Sequence, residues 1–131
     1  MANPRYENFG KEPPDMRAER IRRVKKIPKA TGIYMITFLP GKVSYIGASK
    51  NIRKRIAEHF INMSISDEHN PMSYAYRCYG ISAFRIDILE KCDVSSLKSC
   101  EQKYLTSAYF DGLKLWNTEL LSGLHRGWKD G

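Results

Sequence analysis

Gly32-Ile33-Tyr34-Met35-Ile36-Thr37-Phe38, then Leu39-Pro40-Gly41-Lys42, then Val43-Ser44-Tyr45-Ile46-Gly47 is the stretch that decides the fold. Ile33, Tyr34, Met35, Ile36, Thr37 and Phe38 favour a strand, Pro40-Gly41 is a turn signal, and Val43 to Ile46 start a return strand. A two-residue loop at 40–41 and a four-residue loop at 39–42 give the same pairing parity. In either case Ile36 lies opposite Tyr45 and Tyr34 lies opposite Gly47. Side chains alternate faces along a strand, so Tyr34 and Tyr45 share one face as diagonal neighbours. Gly47 is then expected to leave open space beside Tyr34, as glycines in strands do where a ligand or backbone comes close.

Downstream of the hairpin, Ser49 or Asn51 can cap a helix whose apolar face is Ile52, Ile56 and Phe60. Arg55 and His59, four apart, stack beside that stripe. Residues 61–69 read as a loop. Asn70-Pro71 opens a second helix that Gly80 ends. Phe84 to Leu89 alternates apolar and polar residues as a third strand. Ser95 or Ser96 opens a further helix that Asp111-Gly112 ends.

Within that last helix, Glu101 sits four after Leu97, three before Tyr104 and four before Leu105, inside the apolar stripe. A carboxylate there is costly to bury without a partner. An ion pair with a cation such as Arg55 and a divalent metal both answer that cost, and the pattern alone favours the ion pair. Taken singly, Arg55 reads as a solvated cation, His59 as a structural histidine and the two tyrosines as sheet packing.

Upstream, residues 1 to 30 carry nine Lys or Arg against four Asp or Glu. The start through Pro13-Pro14 reads as a disordered arm. A short helix is expected from Asp15, as cap, to about Lys26, with Ala18, Ile21, Val24 and Ile27 as its apolar stripe. Pro28 stops it. Arg22, Arg23, Lys25 and Lys26 would grip phosphates or keep a surface helix solvated. The expected organisation is a basic arm over 1–28, a folded domain over 29–121 and a basic tail over 122–131, which holds His125, Arg126, Trp128 and Lys129.

The net charge of +8 favours a polyanionic partner. No apolar run approaches the roughly 20 residues of a membrane span. No signal-peptide pattern opens the chain, so a cytosolic protein is expected. Cys78, Cys92 and Cys100 are an odd set without CxxC spacing, which predicts reduced thiols rather than a disulfide framework or a zinc site.

Taken together, Gly32-Ile33-Tyr34, ten residues, Tyr45-Ile46-Gly47, and Arg55 ten residues after Tyr45 resemble the GIY-YIG nuclease family. The likeness extends through Asn51, His59, the stretch from Tyr79-Gly80 to Asp93, Glu101 to Leu105, and Asn117. Tyr79 to Asp93 is similar to the phage homing-endonuclease branch. The resemblance implies an α+β fold, a three-stranded antiparallel sheet flanked by helices, and metal-dependent hydrolysis of DNA, double-stranded DNA being the expected substrate.

It also implies roles. Tyr34 or Tyr45 takes the proton of the attacking water, with Tyr45 the preferred base. Arg55 grips the phosphate, Glu101 holds Mg2+ or Mn2+, His59 orients a tyrosine or relays a proton, and Asn117 fixes the glutamate or a phosphate. Ser49, Asn51 and Lys54 would join the basic arm on the nucleic acid. Ala48 stands where the family is often polar. No separate recognition module is evident. The alternatives are a non-catalytic nucleic-acid-binding module on the same scaffold and a small factor that docks on an acidic protein through its arm.

Overall fold

The computed structural model describes residues 12–65 and 71–119. Of the arm expected to be disordered through Pro13-Pro14, residues 1–11 lie outside those residues, as does the tail over 122–131, whereas Glu12 pairs with Arg20, Pro13 caps the first helix and Pro14 opens it. Among the described residues the α-helices and strands run in order: α1 (Pro14–Val24), β1 (Gly32–Phe38), β2 (Val43–Ser49), α2 (Ile52–Ile65), α3 (Pro71–Tyr79), β3 (Phe84–Lys91), α4 (Leu97–Phe110) and the short α5 (Trp116–Glu119). The three strands form one antiparallel sheet in the order β2-β1-β3. The fold is α+β, as expected.

The hairpin closes through residues 39–42, with Phe38 opposite Val43, Ile36 opposite Tyr45 and Tyr34 opposite Gly47. Lys42 takes a positive φ of 51° and its N–H donates to the Leu39 carbonyl, 3.3 Å. Pairing of β1 with β3 shifts register between Ile33 and Tyr34, a bulge within the first tripeptide.

Period-two alternation sorts the sheet into two layers. On one face Tyr34, Ile36 and Tyr45 meet Ile52, Ile56, Phe60 and Met63 of α2 and Met72, Ala75 and Tyr76 of α3. On the other, Ile33, Ile46 and Ala48 meet Leu97 and Ala108 of α4. Every residue of β2 is buried, because both of its faces are covered. Ile52, Ile56 and Phe60 are fully buried, a contribution of about 1.5–3 kcal/mol each.

Two expectations change. The loop read over 61–69 is helical as far as Ile65, and residues 66–70 lie outside the described set. Met63 is the reason: it extends the 52, 56, 60 row by one step of three and is 5% exposed. In α1 the expected stripe fails. Ala18 and Ile21 face solvent, and Met16, Arg20 and Arg23 turn inward. Helical spacing of four and three puts those three on one face, whereas Ile27 follows the end of the helix. Pro13 takes the cap position and Asp15 lies in the first turn, where its charge complements the helix dipole.

The inward arginines explain how a basic helix packs. Arg20 pairs with Glu12, Nη2 to Oε1 2.8 Å, and the Tyr76 hydroxyl donates to the same carboxylate. Arg23 donates to the carbonyls of Ile81 (3.2 Å) and Phe84 (2.8 Å). From α2, Arg53 donates to the carbonyls of Ile27 (2.6 Å) and Lys25 (2.9 Å). Met16 and Ile27 belong to the same buried cluster as Tyr34, so α1 is packed on the body of the domain.

Candidate active site

The hairpin places two phenols side by side. The Tyr34 and Tyr45 rings have centroids 6.4 Å apart, and both are essentially buried, at 0% and 2% exposure. His59 comes from α2 and sets its ring edge-on to each, 6.0 Å from Tyr34 and 5.3 Å from Tyr45. The Tyr34 hydroxyl lies 2.8 Å from His59 Nε2.

The Arg55 charge acts on the same phenol. The Tyr34 hydroxyl can donate to a neutral imidazole at Nε2 or accept from it, according to the tautomer. Burial, aided by the Arg55 charge, pushes the His59 pKa from 6.5 down to about 3, so the ring is neutral at physiological pH.

The space beside Gly47 is not open. A Cβ built there would lie 2.4 Å from the Tyr34 hydroxyl oxygen and 2.5 Å from its Cζ. The close approach that Gly47 permits is that of Tyr34 itself. This explains the glycine on β2 by the tyrosine it faces on β1.

Arg55 also lies 3.6 Å from Glu58, Nη1 to Oε1, a partner three residues on that the helical spacing alone could have announced. Its Nε is buried without a hydrogen-bond acceptor among the described residues. Glu101 is half-buried on α4, the layer across the sheet from α2. Its negative field nevertheless reaches both phenols and raises their pKa, while Arg55 lowers it. Burial is the largest cause for both, and the net shift is upward. Both tyrosines are thus neutral phenols at neutral pH, and the charges of Arg55 and Glu101 converge on them.

Asn117 sits elsewhere than expected. Its amide oxygen accepts from the Ile46 N–H (2.9 Å) and its amide nitrogen donates to the Ile46 carbonyl (2.8 Å). It grips the backbone of β2 between Tyr45 and Gly47, a contact across 71 residues that no local signal announces. Ser49 and Asn51 both serve the start of α2. The Asn51 side chain caps it by accepting from the Lys54 N–H, 3.1 Å, and Ser49 Oγ accepts from the Asn51 N–H, 3.0 Å. Lys25, Lys26 and Lys54 are exposed, as is Arg22, which pairs with Glu19.

The depressed His59 pKa has a consequence for stability. The unfolded chain protonates this histidine below about 6.5, whereas the folded chain does so only near 3. Between those values the unfolded state binds more protons, so stability falls as pH drops from 6.5 toward 3, by up to about 1.4 kcal/mol per pH unit. Denaturant midpoints measured from pH 7.5 to 4.5 should fall more steeply for the parent than for His59→Gln. Parallel curves would assign the acid sensitivity to other groups.

Two buried phenols, a guanidinium, a neutral imidazole and a carboxylate thus share one three-stranded α+β scaffold. The chain belongs to the GIY-YIG family: the GIY-YIG catalytic domain matches residues 30–108, so Asn117 lies beyond the matched segment. The chain is also similar to UvrABC system protein C of Dictyoglomus thermophilum, at 42% identity over 38 residues, which is 29% of this chain and 6% of that protein. It therefore spans only a small part of that relative's length. No solved structure matches it. No helix among the described residues is long and apolar enough to cross a membrane.

Proposed function

We propose that this domain is a metal-dependent endonuclease that hydrolyses phosphodiester bonds of double-stranded DNA. The observation that carries the reading is the buried Arg55 Nε without an acceptor, beside the Tyr34–His59 hydrogen bond. A buried donor of this kind calls for an acceptor, and a phosphate oxygen suits a planar guanidinium. The family membership supports nuclease chemistry. The likeness of residues 79–93 to the phage homing branch supports placing the chain there.

The residues fit a divalent metal. Among the described residues no three His, Cys, Asp or Glu gather into a full ligand set. Mg2+ does not need one, because it keeps several waters and takes one or two carboxylates plus substrate phosphate. Glu101 would hold it or Mn2+, and the ion would supply positive charge for the leaving oxygen.

We take the proton route through the Tyr34–His59 hydrogen bond. A phenol whose pKa is raised is a poor base unless its own proton can leave. Tyr34 has that outlet in neutral His59, so Tyr34 takes the proton of the attacking water as His59 accepts the phenol's. On this reading Tyr34 is the base in place of the expected Tyr45, and Tyr45 stands beside it. Arg55 holds the phosphate oxygens, and Asn117 fixes the strand carrying Tyr45 and Gly47. Arg22, Lys25, Lys26 and Lys54 offer exposed cations for flanking phosphates. Arg23, Ser49 and Asn51 are engaged in the fold and serve that surface only by shaping it.

The purified protein should nick or linearise supercoiled plasmid in Mg2+ or Mn2+ and stop when chelator is added. Salt-sensitive binding with no cutting in either metal would replace this reading with that of a binding module.

A further inference from the structure

The last turn of α4 ends in two adjacent aromatic side chains that face solvent. Tyr109 is 73% exposed and Phe110 79%, and their rings meet edge-on with centroids 5.4 Å apart. Leu113, three residues on, is 43% exposed. Between them Gly112 turns the chain with a φ of 75°, and a Cβ built there would touch nothing within 4 Å. The patch therefore has open space beside it. An aromatic side chain covers about 150–250 Å² when it is buried, so the pair offers apolar area of the few-hundred-Å² size that marks an interaction site. Elsewhere on the outer face of α4 the exposed residues are polar: Ser99, Gln102, Lys103 and Thr106. The aromatics are confined to one end of the helix.

We infer that this aromatic end of α4 is the docking site for the chain's own segment Leu120–Trp128. Position, composition and charge favour that occupant. The segment follows α5 directly and begins ten residues after Phe110. Asn117 of α5 grips Ile46, and Lys114 and Leu115 run beside Ser44, so the segment starts from a fixed point on β2. Ile46 of that strand, Ala108 of α4 and Leu115 share one buried cluster. Nine extended residues span about 30 Å, longer than the roughly 21 Å of a 14-residue helix such as α4. The exposed rings are therefore within reach.

Leu120, Leu121, Leu124 and Trp128 recur at a spacing that would gather them on one side of a helical turn. That apolar set is a counterpart for the exposed rings. The last turn of α4 carries no base, and Asp111 caps it, so the negative end of the helix dipole meets a further negative charge. Arg126 within the segment and Lys129 just after it bring the complementary sign. The same negative end repels a phosphate backbone, which favours the tail over a nucleic-acid strand as occupant. The contact does not rest on the nuclease reading.

Hydrogen exchange of the full chain, read peptide by peptide, tests it. Amides of 120–128 should exchange at least about tenfold more slowly than in a free peptide of the same sequence. Combining Tyr109→Ser with Phe110→Ser should return them to the free-peptide rate, while the peptides of β1 and β2 keep theirs. Both replaced side chains are exposed, so the core stays intact. The reciprocal pair, Leu124→Ser with Trp128→Ser, should raise hydroxyl-radical labelling of Tyr109 and Phe110. Free-peptide exchange in the parent overturns the inference, as does protection of 120–128 that survives the loss of both rings. Protection that grows with protein concentration would assign the patch to a second copy. Protection that appears only when a single-stranded oligonucleotide is added would assign it to nucleic acid. Either result overturns docking within the chain.

Discussion

Glu101→Gln leaves supercoiled plasmid uncut in Mg2+ or Mn2+, with the rate down at least ~10³-fold, or about 4 kcal/mol of transition-state stabilisation. The change keeps the shape of a half-buried side chain on α4 and removes only its charge. Its thermal midpoint should therefore stay near that of the parent, which separates lost chemistry from lost fold. Two mechanisms predict opposite signs. The Glu101 field raises both phenols, so a carboxylate acting through that field alone would, when neutralised, leave the tyrosines more readily ionised and the rate equal or higher. A carboxylate that holds a cation would instead abolish cutting. Arg55→Ala should lose a similar factor, because its guanidinium is the positive charge that acts on both phenols. A Glu101→Gln protein cutting within tenfold of the parent would end the assignment of this residue to the metal.

Gly47→Ala should damage both stability and rate. The added methyl would sit 2.4 Å from the Tyr34 hydroxyl oxygen, well inside contact distance. The ring has little room to yield: it is fully buried, bonded to His59 at its tip, and packed between the sheet and α2. Overpacking of this kind costs about 1–3 kcal/mol. A phenol shifted by on the order of 1 Å from its partners costs about 10²-fold in rate. The glycine's dependence on one neighbour makes a double-mutant cycle decisive. In a Tyr34→Ala background the same glycine change should be nearly neutral for the thermal midpoint. Equal losses in both backgrounds would mean that Gly47 is required by the backbone of β2 and not by the ring it faces.

Local signals carried much of this molecule. Hairpin parity followed from two tripeptides and a turn, because alternation fixes which residues share a face and loop length fixes the register. Helix ends at Gly80 and Gly112 followed from residues that adopt positive φ, 78° and 75° here. What escaped were long-range partners. Arg23 looked like a free cation because nothing nearby in sequence names the Ile81 and Phe84 carbonyls it meets. Asn117 looked like a site residue, and its grip on Ile46 exists only once the chain has come back along β2. Gly47 was legible as a close approach, but which group approached was settled by packing. The last turn of α2 was missed for a smaller reason, since Met63 continues an apolar row that Asn62 and Ser64 interrupt in print but not in space.

The return of the chain along β2 carries one more implication. The Ser44 N–H donates to the Lys114 carbonyl, Ser44 bridges to Leu115, and the Asn117 amide closes both backbone groups of Ile46. A side-chain amide here stands in for part of a fourth strand, so the ladder at Ser44 and Ile46 is already taken on that margin. On the opposite margin β3 presents Arg85 and Asp87, paired at 2.9 Å, and exposed Lys91. Charges of this kind repel strand-to-strand stacking. A small sheet left bare on either side would be prone to polymerise into fibrils; this one is sealed on one flank and guarded on the other.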